Sequence, residues 1–158
     1  MRKILIAMDE SEYAMKAVKF VGETVACERV QVTLYNVALP PAPPELGDEW
    51  VKLFPHFADK VTDFKSFLKA KEAKTRAVME EAKEVLKYCG IPERSISVKI
   101  EEKKEGVARD LLKEVEKEGY DVIVVGRRGL SAAKAFLLGS VSEKIIKYAK
   151  NCTVWVVG

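Results

Sequence analysis

Two short, wholly apolar runs, Ile4-Leu5-Ile6-Ala7-Met8 and Val122-Ile123-Val124-Val125, restrict this chain's fold more than anything else in it. A strand with one wet face alternates apolar and polar residues. A strand with no alternation is covered on both faces, as in parallel sheets held between two layers of helix. Both runs fall well short of the roughly 18 apolar residues that a membrane span requires.

The segments between them carry the period of helices. Ala14, Ala17, Val18, Val21 and Val25 recur at helical spacing, and Val30 to Val37 reads as a second strand. Lys71 to Tyr88 consists of strong helix formers, with Ala73, Ala77, Val78, Val85 and Leu86 as the expected apolar side. Gly90 suits its C-terminal end and Pro92 follows. Ile96 to Ile100 is a third strand. Val107, Leu111, Leu112 and Val115 mark a helix closing near Gly119, and Asp121 to Gly126 is a fourth strand. Ser140 to Ala149 is a helix with Val141, Ile145, Ile146 and Ala149 inward, and Cys152 to Val157 is a fifth strand. Strands alternating with helices give an α/β fold: a single-domain, doubly wound, five-stranded parallel sheet with helices on both faces and right-handed crossovers.

A length of 158 residues suits one domain spanning 1–158, and 48% hydrophobic with 32% charged residues excludes a disordered chain. The net charge of +3 comes from lysines interleaved with glutamates on helical stretches, the pattern of solvated helix faces rather than of a nucleic-acid surface. Cys27, Cys89 and Cys152 are odd in number and form no CxxC pair, which suits reduced thiols. Asp9 ends the first apolar run too soon for a signal peptide, so the expected location is the cytoplasm. From about 40 to 68 the pattern breaks. Pro40, Pro41, Pro43 and Pro44 favour an extended backbone, and Trp50, Leu53, Phe54, Phe57, Val61, Phe64, Phe67 and Leu68 then fall at helical spacing. This is expected to be an inserted helical element, serving as a dimer or partner contact, as intramolecular packing, or as a lid.

Parallel α/β sheets bind ligands beyond the carboxyl ends of their strands, here Met8-Asp9, Val37-Ala38 and Val125-Gly126. The last leads into Gly126-Arg127-Arg128-Gly129 and, nine residues on, Gly139-Ser140-Val141-Ser142 at a helix start. Glycines let backbone N–H groups approach phosphate oxygens, the helix N-terminus adds partial positive charge, and Arg127, Arg128 and Lys134 stand nearby. Two local alternatives remain open. Ser140-x-x-Glu143 also matches a capping box, and Asp9 with Glu12 matches an N-cap pair. Arg127 and Arg128 are equally readable as solvated loop residues. His56 is the only histidine, which excludes a histidine metal site and a Ser-His-Asp triad, and the Walker pattern G-x4-G-K-[ST] is absent.

The spacing Gly-x2-Gly-x9-Gly-Ser resembles the ATP-binding motif of the universal stress protein family. Tyr120 to Gly126 before it, Ser142 to Ile146 after it, and the opening Ile4 to Ser11 resemble that family too; the stretch from Pro40 to about Leu68 lies outside the resemblance. The resemblance implies an adenine nucleotide alpha hydrolase-like sheet ordered 3-2-1-4-5 and a homodimer paired through the last strand. It implies ATP as the ligand, with adenine held by the Val37 backbone and Met8-Asp9 at the nucleoside end. Val125, Gly126, Arg128 and Gly129 would border ribose and phosphates. Gly139, Ser140, Val141 and Ser142 would hold phosphate oxygens, and any Mg²⁺ or Mn²⁺ would be held through the phosphates. The expected function is a nucleotide-responsive regulatory homodimer in which ATP orders the loop from Arg127 to Leu138. The alternatives are a nucleotide-free scaffold that binds a protein through Trp50 to Phe67, and a slow ATPase.

Overall fold

Both apolar runs become inner strands of the computed structural model, which describes residues 1–41, 58–129 and 138–158. The strands are β1 (Arg2–Met8), β2 (Val30–Ala38), β3 (Ile96–Glu102), β4 (Val122–Gly126) and β5 (Thr153–Val157). They form one parallel sheet ordered β3-β2-β1-β4-β5, as the resemblance implies. Leu5, Ile6, Ile123 and Val124 have no exposed surface.

The helices are α1 (Glu12–Thr24), α2 (Ala58–Tyr88), α3 (Val107–Glu118) and α4 (Ser140–Tyr148). Strand parity divides the core into two layers. Ile4, Ile6, Val32, Leu34 and Val124 pack with Ala17, Val18 and Val21 of α1 and Met79, Ala82 and Leu86 of α2. Leu5, Tyr35, Ile123 and Val125 pack with Leu111 and Val115 of α3 and Ile145 of α4. Burying each large aliphatic side chain contributes about 1.5–3 kcal/mol, so either layer lost would unfold the domain.

Three expectations need correction. The helical part of the expected insert and the helix from Lys71 are one continuous helix of 31 residues. No glycine or proline interrupts 58–88, so nothing ends the helix between them. Trp50, Leu53, Phe54 and Phe57 lie outside the described residues; Phe64 and Phe67 are 43% and 54% exposed. On α2 the buried stripe is Thr75, Met79, Ala82 and Leu86, whereas Ala73 and Ala77 are exposed. The stripe follows the larger Met79 and Leu86, and alanine suits either face. On α4, Ile145 is buried but Ile146 is 48% exposed, because the short helix touches the sheet along a narrow strip.

Candidate functional site

Strand order reverses between β1 and β4, the place where open α/β sheets leave a crevice beyond their carboxyl ends. A cavity of about 480 Å³ opens there, within the roughly 300–1,000 Å³ usual for small-molecule sites. Met8 and Asp9 after β1, Val37 on β2, Val125, Gly126, Arg128 and Gly129 at and after β4, and Gly139 to Ser142 at the start of α4 line it as the sequence predicts, whereas Arg127 is not among its lining residues. Lys134 and the loop at 130–137 fall outside the described residues.

The turn after β1 is held by its own side chains. Asp9 Oδ1 accepts from the Ser11 N–H at 2.9 Å, and Ser11 Oγ accepts from the Ala14 N–H at 3.2 Å. Ser11, not Asp9, is therefore the N-cap of α1, which corrects the Asp9–Glu12 alternative. The helix begins at Glu12, so only Ser11 is placed to reach the N–H groups of its first turn. Asp9 keeps its second oxygen for the cavity, 2.8 Å from where a Cβ on Gly129 would stand. Asn36 Nδ2 donates to Met8 O at 2.8 Å and so fixes the last carbonyl of β1. β1 ends opposite Asn36 while β2 runs on to Ala38, leaving the β1-side edge of β2 without a strand at Val37.

The alternative Ser140–Glu143 capping box does not form. The N-cap of α4 is Gly139, no side chain among the described residues caps the helix, and Ser140 is already helical. Gly139 is drawn into that position by its N–H bond to Arg127 O at 2.9 Å, with a Cβ there only 3.3 Å from Arg128 Cα. The register thus shifts by one residue from the S-x-x-E pattern. Ser142 Oγ instead donates to Gly126 O at 2.7 Å and ties α4 to the end of β4. The result is an uncapped helix N-terminus facing the cavity, where unpaired N–H groups and the helix dipole favour an anion. Close approach also governs Gly126, where a Cβ would lie 2.8 Å from the backbone carbon of Tyr13 on α1. Arg128 has its Nε buried without a partner among the described residues.

Sequence reasoning missed Tyr35, Asn36, Val107, Leu111 and Glu143, which also line the cavity. Parity was the available signal for Tyr35, since position 35 shares a strand face with Val37. Leu111 and Val107 are brought in only by the way α3 crosses the sheet. A second cleft of about 1010 Å³ lies between α2 and the ends of β2 and β3, and shares Asp9, Asn36 and Val37 with the first. Among the described residues no group of three or more His, Cys, Asp or Glu is placed to hold a metal, and no helix is long and apolar enough to cross a membrane.

The model of the universal stress protein family matches residues 1–158. A universal stress protein of Mycolicibacterium smegmatis is 28% identical over 98% of this chain, which spans 48% of that relative's length. The universal stress protein MJ0577 of Methanocaldococcus jannaschii is 30% identical, over 92% of this chain and 88% of the relative. The solved structure of MJ0577 superposes with a TM-score of 0.68, covering 99% of this chain and 94% of that one. UspA of Lactobacillus plantarum, 16% identical, superposes at 0.72 over 99% and 97% of the two chains. An Arabidopsis thaliana family protein solved with AMP bound, 18% identical, superposes at 0.64 over 99% and 91%.

Proposed function

This chain belongs to the universal stress protein family, and we propose that its strand-end cavity binds ATP and that the protein acts as a nucleotide-responsive regulatory homodimer in the cytoplasm. The observation that carries this reading is the uncapped N-terminus of α4, facing a cavity bordered by Gly126, Gly129 and Gly139. α1 satisfies its own first turn through Ser11, whereas α4 leaves its first N–H groups to a ligand. Phosphate oxygens would sit against Gly139, Ser140, Val141 and Ser142, with the Arg128 guanidinium beside them. The free oxygen of Asp9 would accept from a ribose hydroxyl. Adenine would lie against Val37, whose backbone borders an edge with no neighbouring strand, with Met8 and Val125 as apolar floor. The glycine cradle and the unpaired Arg128 Nε fit a triphosphate, and Mg²⁺ or Mn²⁺ would be held through its oxygens.

β5 is an edge of the sheet, and its Val156 is 38% exposed, which supports pairing with a second copy. A second reading, recruitment of a protein partner through Trp50 to Phe67, is favoured by the exposure of Phe64 and Phe67. Calorimetric titration with ATP and Mg²⁺ tests the first reading. At a hundredfold excess over Kd, bound ATP stabilises by about 2.7 kcal/mol. For 158 residues that raises Tm by about 8 °C. Absence of both heat and Tm shift at millimolar ATP refutes it. Release of phosphate at a steady rate would instead identify an ATPase.

A further inference from the structure

A buried ion cluster stands one residue from the Asp9 carboxylate. The Glu10 side chain, 5% exposed, is held by the Lys71 and Lys74 ammonium groups at 2.7 and 3.0 Å. Thr75 Oγ1 donates to the same carboxylate at 3.4 Å. Positions 71, 74 and 75 share one face of α2. Thr75 also begins the buried stripe of that helix, and no residue from 58 to 74 is buried. The cluster thus lies where α2 comes away from the core, and there the helix takes hold of the turn after β1. Asp9, Glu10, Lys71 and Thr75 line the second cleft, and Asp9 lines the strand-end cavity as well.

Burying a carboxylate forfeits its hydration, so an ion cluster of this kind adds little net stability. It does restrict the turn. Asn36 Nδ2 holds Met8 O at 2.8 Å, the Ser11 cap fixes the start of α1, and α2 grips the residue between Asp9 and Ser11. Asp9 Oδ1 is taken by the Ser11 N–H, and Oδ2 stands at the Gly129 edge of the cavity. A rotation of the peptide between residues 9 and 10 would carry that oxygen with it. Burial would raise the Glu10 carboxyl, but hydrogen bonds and charge from Lys71 and Lys74 hold it below its ordinary value, so the cluster is ionised at neutral pH. The second ammonium group also offsets the Asp9 charge, which would otherwise repel a polyanion.

We infer that Glu10 is a positioning residue for sugar recognition: held by α2, it fixes the turn that aims the Asp9 carboxylate at a ribose hydroxyl. Discrimination between ribo- and deoxyribonucleotides then depends on a residue that does not touch the ligand. This rests on the nucleotide reading of the strand-end cavity and extends it to the helix that holds the turn.

The test titrates the full chain with ATP, 2′-deoxy-ATP and 3′-deoxy-ATP in the presence of Mg²⁺, and compares Glu10→Gln, Lys71→Met and Tyr120→Phe. The readout is the ratio of affinities for ATP and each deoxy analogue, which cancels changes in overall charge and in fold stability. The wild type should prefer ATP to one analogue by about 10- to 100-fold, the value of a hydrogen bond to a charged acceptor. Glu10→Gln should reduce that preference to within about threefold, and Lys71→Met, which leaves Lys74 in place, to an intermediate value. Tyr120→Phe loses its bond to Thr33 Oγ1 in the opposite core layer. It should melt about 2–4 °C lower and keep the full preference. A wild-type preference retained in Glu10→Gln and in Lys71→Met overturns the inference and leaves the nucleotide reading standing. Equal binding of ATP and both analogues by the wild type does the same. A wild-type protein that ignores millimolar ATP removes the nucleotide reading and this inference with it.

Discussion

Gly126 and Gly129 belong to the same motif, yet an alanine at each should do different things. At Gly126 an added Cβ would meet the Tyr13 carbonyl carbon, Cβ and carbonyl oxygen at 2.8, 2.8 and 2.9 Å. Carbon–carbon contacts settle at about 3.5–4.0 Å, so α1 and the end of β4 must part by roughly 0.7 Å or more. The backbone of α1 cannot rotate out of the way as a side chain could. Overpacking of this kind costs about 1–3 kcal/mol, partly offset by about 0.4–1 kcal/mol from the stiffer unfolded chain. At about 0.3 kcal/mol per kelvin for 158 residues, Gly126→Ala should lower Tm by about 2–6 °C. At Gly129 the neighbour at 2.8 Å is Asp9 Oδ2, the end of a side chain that can swing away. Gly129→Ala should therefore hold Tm within about 2 °C. It should also weaken ATP about 5- to 20-fold by turning the free Asp9 oxygen from the ligand. Scanning calorimetry of the ligand-free variants and ATP titration measure both effects. Equal loss of stability in the two variants would refute the reasoning, as would a Gly126→Ala protein that melts like the wild type.

Three further outcomes follow from buried charges and close packing. Burial alone would raise the Asp110 carboxyl, but the N–H groups of Lys104, Glu105 and Gly106 outweigh it and hold it below its ordinary value. Its stabilisation is present above the unfolded pKa, near 4, and is lost as pH falls through the lower folded value. Asp110→Asn should cost about 1–2 kcal/mol at pH 7 and flatten the acid limb of a urea stability–pH curve; an unchanged limb would contradict this. The Glu10 carboxylate, 5% exposed, is held at 2.7 Å by Lys71 and 3.0 Å by Lys74. The double change Lys71→Met and Lys74→Met strands a buried charge and should cost about 3 kcal/mol, whereas Glu10→Gln releases two partly exposed ammonium groups and should cost about 1 kcal/mol. Urea midpoints in the reverse order would overturn that asymmetry. Gly22→Ala should be destabilised by about 1–3 kcal/mol and recover in part with Cys89→Gly. The added Cβ meets Cys89 Sγ and Cβ at 2.7 and 2.8 Å, and an absence of recovery would place the strain elsewhere.

The sequence alone determined the layers of this protein. Ile4 to Met8 and Val122 to Val125 have no polar residue to offer water, so they specify strands covered on both sides. Period and glycine stops placed the helices between them. The motif from Gly126 to Ser142 was legible because glycine and a helix start have few other uses at that spacing. What the tertiary structure alone decided is who touches whom across the chain. A capping box at Ser140 is written in the local sequence, yet the contact of Gly139 with Arg127 and Arg128 moves the cap by one residue. Asp9 is as good an N-cap as Ser11 by residue type, and only the start of α1 at Glu12 assigns the role. Nothing along the chain pairs the Tyr120 hydroxyl with Thr33, and only the fold brings the two together. Local pattern follows from burial and period, which each segment carries itself. The pairing of a single donor with a single acceptor is set by ångström-scale packing of segments far apart in sequence.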